Sequence, residues 1–176
     1  MASAEAETQR RLVHCWEPAL RSSCRPADLS DPELGPLVQD MLQIMKSKRG
    51  VGLAAPQAGD NRRVVLVRHP EDPPSHTRVL VNPEIINCSE EQCPFEEGCL
   101  SFPGIYRIVH RSRSVAVRYH DLDGHEHELN DDGFLARVVQ HEIDHLDGVL
   151  FVDHLSPWER FVVRLRMMAW RWGWRR

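Results

Sequence analysis

The residues of this chain best suited to chemistry form one pentapeptide, His141-Glu142-Ile143-Asp144-His145. Residues four apart lie on the same face of a helix, so His141 and His145 would both point at one metal ion. Glu142 directly follows the first histidine and would act as general base on an attacking water. This spacing therefore predicts a metal-dependent hydrolase site on a helix.

The predicted metal needs a third protein ligand, because a catalytic site has three ligands and one open position. Metalloproteases with an HExxHxxGxxH motif supply a third histidine, but here Gly148 is present and the third histidine position holds Phe151. Cys99, in the peptide Glu97-Gly98-Cys99-Leu100-Ser101, is the strongest upstream candidate. Glu159 is the alternative ligand, and with it the chain would be an endopeptidase of the gluzincin kind.

Three short peptides, in this order along the chain, resemble the motifs of the peptide deformylase family. They are GVGLAAPQ at 50–57, EGCLS at 97–101 and QHEIDHLDG at 140–148. The chain resembles both bacterial and plant organellar type 1 members, over about residues 16–155. The resemblance implies hydrolysis of the N-formyl group from the formyl-methionine of newly made polypeptides, with release of formate.

The resemblance also implies a ligand set and its chemistry. Cys99, His141 and His145 are expected to bind one divalent metal ion per chain. Ferrous iron is the expected native ion, and zinc, nickel or cobalt would also suit one thiolate and two imidazoles. Glu142 is expected to take a proton from water and hand one to the leaving amine.

Four further residues are expected to serve the reaction. The side-chain amide of Gln57 and the backbone N–H of Leu100 are implied as donors to the oxyanion. Glu97 and Arg111 match positions that the family pairs by hydrogen bond. They are therefore predicted to orient the metal ligands through hydrogen bonds without contacting the metal themselves.

The substrate is expected to lie against glycine-rich backbone and one apolar helix face. Glycine lets backbone approach a ligand closely, which favours pairing with an extended peptide. Residues three and seven positions before His141 share its helix face and would line a methionine pocket, although such a face equally indicates core. The substrate-binding candidates are Gly50, Val51, Gly52, Gly98, Phe134 and Val138.

The element patterns predict an α+β fold, with mixed or antiparallel sheets around a central HExxH helix. Apolar residues recur at three and four over 34–45, which predicts an N-terminal helix that Gly50 ends. Residues 133–146 form the predicted HExxH helix. Ser156 and Pro157 begin a predicted C-terminal helix as N-cap and first residue.

The strand predictions rest on β-branched and alternating runs. Residues 64–67 form one predicted strand, and residues 79–81 form another that Asn82-Pro83 ends. Residues 114–119 and 125–129 form a predicted hairpin around the turn Asp123-Gly124.

Length and composition restrict the remaining possibilities. The 176 residues suit a single domain, with residues 1–15 expected to be flexible and 156–176 to form a C-terminal helix and tail. The net charge of −4 argues against DNA binding. No stretch approaches the roughly 18 apolar residues of a transmembrane helix, and no signal peptide core is present. The expected compartment is the cytoplasm of a bacterium, or the plastid or mitochondrion for a trimmed eukaryotic form.

The five cysteines are odd in number and irregularly spaced, which favours free thiols. A zinc knuckle made by Cys88, Cys93 and Cys99 would be the alternative, but their spacing fits no paired pattern.

The C-terminal segment, 156–176, contains six arginines and four tryptophans. Phe161, Leu165 and Met168 form a helical stripe with arginines beside it. Three interpretations remain open: a helix that docks on the body and leaves a basic face in solvent, a ribosome contact, or a membrane-surface helix. A metal-site protein that binds RNA without hydrolysis is a further alternative.

Overall fold

A computed structural model describes residues 10–173. Its helices are α1 (Leu34–Ser47), α2 (Phe134–Leu146) and α3 (Pro157–Arg171). Its strands are β1 (Gly52–Ala54), β2 (Val64–Val67), β3 (Arg78–Cys88), β4 (Gln92–Cys99), β5 (Phe102–Ser112), β6 (Val115–His120) and β7 (Glu126–Asp131). Short 3-10 helices occupy Pro18–Arg21, Ala55–Ala58, Pro74–His76 and Phe151–His154.

The strands form one five-stranded sheet and one separate hairpin. The order in the larger sheet is β1-β2-β3-β6-β7, and β4 pairs with β5. Every pairing in both sheets is antiparallel. The predicted α+β class is confirmed. Because β1 pairs with β2 alone, it is an edge strand with one open side.

β2 shows how two helices enclose the larger sheet. All four of its residues are buried, and successive side chains point to opposite faces. Val65 and Val67 pack in one core cluster with residues of α2, whereas Val64 and Leu66 pack in another with residues of α1. The sheet therefore lies between α1 and the HExxH helix α2.

α1 confirms the predicted N-terminal helix. Its buried residues follow the helical period: Leu34, Leu37, Val38, Met41, Ile44 and Met45. The end of the helix differs from the expectation, because the left-handed residue is Arg49, with φ of 55°, and not Gly50. The Gly50 N–H instead donates to the Met45 carbonyl at 2.9 Å, which satisfies one of the last helical carbonyls.

The predicted strands are confirmed for β2 and for the hairpin of β6 and β7. The prediction that a strand ends at Asn82-Pro83 is wrong, because β3 continues to Cys88. The pairing of β3 with β6 shifts between Val81 and Glu84, and Asn82 has φ of 52°. A bulge thus accommodates the proline, which has no N–H for the ladder. No prediction covered β4 and β5, the longer hairpin.

α3 packs on a different face from the predicted stripe. Val163 and Met167 are buried in a core cluster with Phe102 and Val152. The stripe points to solvent, and its exposed fractions are 50%, 50% and 49% for Phe161, Leu165 and Met168. The start of the helix is as predicted, because the Ser156 side chain accepts from the Glu159 N–H and Pro157 begins the helix.

The N-terminal segment before the first 3-10 helix packs on the body. Val13 is buried, and its N–H donates to the Gln57 carbonyl at 2.8 Å. The Cys15 N–H donates to the Ser101 carbonyl at 3.0 Å. The expected flexibility of residues 1–15 stays a prediction, and residues 1–9 and the tail residues 174–176 lie outside the described residues.

Candidate active site

Side-chain and glycine contacts fix both ends of α2. The Asp131 carboxylate accepts from the backbone N–H groups of Gly133 and Ala136, each at 2.8 Å, and so satisfies two donors of the first turn. Gly148 ends the helix with φ of 75°, and a Cβ there would lie 2.9 Å from the backbone of Arg21. These contacts therefore fix which residues of α2 face the sheet.

Cys99, at the end of β4, forms a cluster with two histidines of α2. The ligand atoms of Cys99, His141 and His145 all lie within 4.8 Å of one another, and Cys99 Sγ is 3.2 Å from His145 Nε2. His145 is 1% exposed, and burial lowers its pKa well below the usual value. That imidazole is thus neutral, which is the form that binds metals.

The other histidine is oriented by a carboxylate. His141 Nδ1 donates to Glu97 Oε2 at 2.9 Å, which leaves Nε2 available as the ligand atom. Burial would lower the pKa of His141, but hydrogen bonds with Cys99 and Glu97 raise it well above its usual value. A cation held between Cys99 and the histidines would replace that extra proton, so the residues present fit a divalent metal.

Arg111 connects the carboxylate of Glu97 to that of Asp144. Its Nε and Nη2 donate to the two Glu97 oxygens at 2.5 and 3.0 Å, and its Nη1 donates to Asp144 at 2.8 Å. Burial would raise the pKa of Glu97, but hydrogen bonds from His141 and Arg111 lower it to about 2. The structure thus brings the predicted pair together. Asp144 was missed, although it lies inside the histidine pentapeptide.

Glu142 lies beside the ligand cluster with a free acceptor. Burial raises the pKa of this carboxyl to about 7. Its Oε2 is buried and has no hydrogen-bond partner among residues 10–173. A Cβ at Gly52 would collide with the Glu142 carboxylate and lie 2.8 Å from a Val138 methyl, so only glycine fits there. The carboxylate and the edge strand are therefore in close contact.

Gln57 places its amide next to the same cluster. The side chain is 1% exposed, and its Oε1 accepts from the Ala54 N–H at 2.8 Å. Its Nε2 lies 3.4 Å from Cys99 Sγ and donates to Ser101 Oγ at 3.2 Å. Leu100 follows Cys99 and lines the same cleft. Ser101 was missed as a contact of Gln57, although it lies in the EGCLS peptide.

The ligand cluster opens into a cleft of about 630 Å³, which Gly50, Val51, Gly52 and Gly98 line. A smaller cavity of about 120 Å³ adjoins it. The apolar side chains around this cavity are Val51, Phe95, Phe134 and Val138. All six predicted substrate-binding residues thus line one space or the other. Phe95 was missed because it lies outside the EGCLS peptide, although its place two residues before Glu97 puts it on the same face of an extended strand.

Two predicted alternatives for the metal site fail. Glu159 Oε2 accepts from Ser156 Oγ at 2.6 Å at the start of α3, and Glu159 is not part of the ligand cluster, so the gluzincin interpretation is wrong. Cys88 and Cys93 join no metal-binding group among the described residues, and the five thiols are free. Within residues 10–173, a second group of side chains close enough to share a metal, Asp121, Asp123 and His125, lies in a surface turn.

No helix within residues 10–173 is both long and apolar enough to cross a membrane.

The chain matches the family model described as polypeptide deformylase over residues 9–161. It is 45% identical over 146 residues to the peptide deformylase of a Picosynechococcus species, covering 82% of this chain and 78% of that relative. The crystal structure of a peptide deformylase from Legionella pneumophila has a TM-score of 0.85 and 39% identity, covering 92% of this chain and 95% of that one.

A further similar structure is the Met-Ala-Ser-bound class I type b peptide deformylase from Acinetobacter baumannii. Its TM-score is 0.77 with 39% identity, covering 83% of this chain and 98% of that one. These likenesses extend over the segments that hold Cys99, His141 and His145. The chain therefore belongs to the polypeptide deformylase family and is a hydrolase.

Proposed function

We propose that this chain hydrolyses the N-formyl group from the formyl-methionine of newly made polypeptides and releases formate. One observation carries the proposal. Cys99, His141 and His145 meet beside a buried, unpartnered oxygen of Glu142, at the base of a cleft bordered by the edge strand β1. Membership of the polypeptide deformylase family supports the same reaction.

Cys99, His141 and His145 would hold one divalent metal ion. That ion would supply Lewis acidity towards the formyl oxygen and the attacking water. We take ferrous iron as the native ion, on the family resemblance, with zinc, nickel and cobalt as ions that the same ligands accept. Metal analysis of protein purified without air checks the identity, and faster loss of activity in air than under nitrogen is expected for iron.

Glu142 would move the protons of the reaction. Its carboxylate accepts one from the attacking water and delivers one to the leaving amine nitrogen, which converts the amide into formate and a free N-terminal methionine. The unpartnered Oε2 and the close approach of Gly52 support this role, because both place the carboxylate at the wall of the cleft.

Gln57 and Leu100 would stabilise the developing oxyanion. A donor lowers the barrier when it already points to the oxygen that becomes charged. The Gln57 amide is fixed by the hydrogen bond of its Oε1 to Ala54 and lies 3.4 Å from the Cys99 sulfur. The Leu100 backbone N–H follows the same cysteine, so both donors would approach from one side of the cleft.

The substrate would bind as an extra strand beside β1. An edge strand offers unpaired backbone groups to an extended peptide, and Gly50 and Gly52 let that peptide come close. The methionine side chain would enter the 120 Å³ cavity beside Phe134 and Val138. The Met-Ala-Ser bound in the Acinetobacter baumannii structure supports a short peptide that begins with methionine as a ligand of this protein.

We also assign the predicted ribosome contact to α3. Arg160, Arg164, Arg166 and Arg171 are all exposed on this helix, and Glu159 is its one acidic residue. Substitution of the four arginines by glutamine is expected to reduce co-sedimentation with ribosomes at low salt, and unchanged co-sedimentation would contradict the assignment.

The cytoplasm is the proposed compartment, because the relatives are bacterial proteins. For a trimmed eukaryotic form, the proposed compartment is a plastid or a mitochondrion.

Formate release from formyl-Met-Ala-Ser by anaerobically purified protein tests the proposed reaction, with casein as a parallel substrate. We expect formate to be released, the activity to be lost on chelation and casein to remain intact. Cys99→Ala is expected to abolish metal binding, whereas Cys88→Ala, at an exposed thiol, serves as the matched control.

Metal-loaded protein that releases no formate would overturn the proposal. Casein cleavage would then point to an endopeptidase. Salt-dependent RNA binding without hydrolysis would instead point to the metal-site protein that binds RNA.

A further inference from the structure

The cleft extends beyond the residues that the proposed reaction uses. Its volume of about 630 Å³ is in the range of sites for ligands much larger than a formyl group, roughly 300–1,000 Å³. Several of its lining residues have no role in that reaction, and five of them come together at one end. They are Leu12, His14, Lys48, Arg49 and Trp170, which come from the N-terminal segment, the end of α1 and the end of α3.

The edge strand β1 determines which part of a substrate reaches these residues. Its carboxyl-terminal end is closed, because Leu53, Ala54 and Ala55 are all fully buried. In the other direction the chain leads from Gly52 through Gly50 to the exposed Arg49 and Lys48. A peptide paired antiparallel to β1, with its formyl end at Gly52, therefore runs towards this mouth.

The distance along a strand sets the register. Each residue of an extended peptide advances about 3.3 Å, and each lies opposite one residue of the neighbouring strand. If the formyl-methionine lies at Gly52, the second residue lies near Val51 and the third near Gly50. The third residue thus lies next to Arg49, and the fourth lies beyond Gly50, at the mouth that Arg49 and Lys48 line.

The mouth carries an excess of positive charge. Lys48 and Arg49 are both exposed, and no carboxylate within residues 10–173 forms an ion pair with either. Glu142, at the closed end, is the single acidic residue among the described residues that line the cleft. A carboxylate on the substrate would therefore find a cationic partner at the mouth and no acidic competitor.

Aromatic side chains form the wall at the same end. The His14 ring stacks on Trp16 with centroids 4.9 Å apart, and both rings contact Trp170, at 5.3 and 5.5 Å. The Arg171 guanidinium lies over Trp16, 5.9 Å from its centroid. These contacts hold the α3 residue Trp170 and the N-terminal segment together as one fixed surface.

We propose that the mouth of the cleft is a subsite for the third and fourth residues of the substrate polypeptide, and that it selects an acidic side chain there. Lys48 and Arg49 bind the carboxylate, and the wall of His14 and Trp170 supports the peptide beside them. This assignment rests on the proposed deformylase reaction, because that reaction defines where the substrate begins.

Matched peptides with amidated carboxyl termini test the assignment. One series is formyl-Met-Ala-X-Ser and the other formyl-Met-Ala-Ser-X, where X is Glu, Gln or Lys. We expect kcat/KM to be highest for Glu and lowest for Lys in at least one series, by roughly 2- to 10-fold between Glu and Gln. Because the contacts are exposed, the preference should shrink as the salt concentration rises from 20 to 500 mM.

Variants of the protein show which residues cause the preference for an acidic side chain. The combined change Lys48→Ala and Arg49→Gly is expected to bring the Glu to Lys ratio of kcat/KM close to one, and glycine suits the positive φ of Arg49. Arg118→Ala removes a similar charge from β6, outside the cleft lining, and should leave the ratio unchanged. Trp170→Ala should raise KM for the tetrapeptides, whereas Trp172→Ala, at an 81% exposed residue, should not.

The possible outcomes separate the two proposals. Equal rates for Glu, Gln and Lys peptides, or a preference that survives the Lys48 and Arg49 changes, would overturn the subsite while formate release from formyl-Met-Ala amide upholds the reaction. No formate from any peptide would overturn both.

Discussion

Behind His141, at the closed end of the cleft, Arg111 is 5% exposed and donates to Glu97 and Asp144, whereas at the mouth Lys48 and Arg49 are exposed to solvent. The buried guanidinium has lost its water and needs both carboxylates in fixed positions. The exposed cations keep their water, so any partner they bind is held weakly and is screened by salt.

One cleft can therefore hold its reactive groups in fixed positions and still accept polypeptides of different sequence. Arg111 fixes Glu97, which fixes His141, so a small displacement there would disturb a proposed metal ligand. Among residues 10–173, Lys48 and Arg49 at the mouth form no ion pair with any residue of this network. Changes at the closed end should therefore affect every substrate, whereas changes at the mouth should affect only some.

The largest effect is expected for Glu142→Ala. Removal of the general base should lower turnover by about 10²- to 10⁴-fold while the metal content stays near one per chain. Steady-state formate release and metal analysis measure the two quantities. Glu84→Ala, at an exposed residue of β3, is the control. A Glu142→Ala enzyme with normal turnover would remove this carboxylate from the mechanism.

A smaller loss is expected for Gln57→Ala. A donor that acts on the oxyanion contributes about 10²- to 10³-fold to kcat and little to KM. Because Gln57 also accepts from the Ala54 N–H, thermal unfolding and metal content should be recorded for the variant. Gln43→Ala, in α1, is the control. A fall below tenfold in a metal-loaded, folded variant would contradict the donor role.

A change at Arg111, which contacts Glu97 and none of the three proposed ligands, should have a more moderate effect on metal binding. Arg111→Met leaves Glu97 buried without its ion-pair partner, so we expect about 10- to 100-fold weaker metal affinity. The same change should destabilise the fold by about 3–5 kcal/mol. Metal titration and chemical unfolding measure these effects. Arg111→Lys should recover them only in part, because lysine lacks the planar fork that pairs with Glu97 and reaches Asp144 at the same time.

Arg113, two residues after Arg111, is an exposed arginine for comparison, and the change to test is Arg113→Ala. Arg113 pairs with Glu91 at 2.9 Å, but both side chains are more than half exposed. We expect no measurable change in metal affinity and the smallest change in unfolding midpoint of the variants considered. If Arg113→Ala and Arg111→Met weakened metal binding equally, burial of the ion pair would not be the reason that Arg111 matters for metal binding.

Local patterns were enough to predict the helices. The apolar period of α1, the His-Glu-x-x-His spacing of α2 and the Ser156-Pro157 start of α3 each depend on residues within a few positions of one another. The packing face of α3 was not predictable in this way. Its stripe of Phe161, Leu165 and Met168 and its buried pair Val163 and Met167 are both apolar, and contact with the body decides between them.

The hairpin of β4 and β5 was missed because its sequence alternates weakly. β4 buries Glu97 and exposes Phe95, against the usual preference of each residue type. Function explains the inversion, because the buried carboxylate holds His141 and the partly exposed ring borders the small cavity. Strand patterns are least informative where a strand carries an active site.

The sequence by itself determined the family of this protein and its candidate site, because the motifs at 50–57, 97–101 and 140–148 contain the proposed ligands, base and amide donor. Only the tertiary structure showed that Asp144 completes the buried ion network and that His14, Lys48, Arg49 and Trp170 share the mouth of the cleft. The reason is physical: a motif records residues that are neighbours along the chain, whereas a cleft joins segments that only packing brings together.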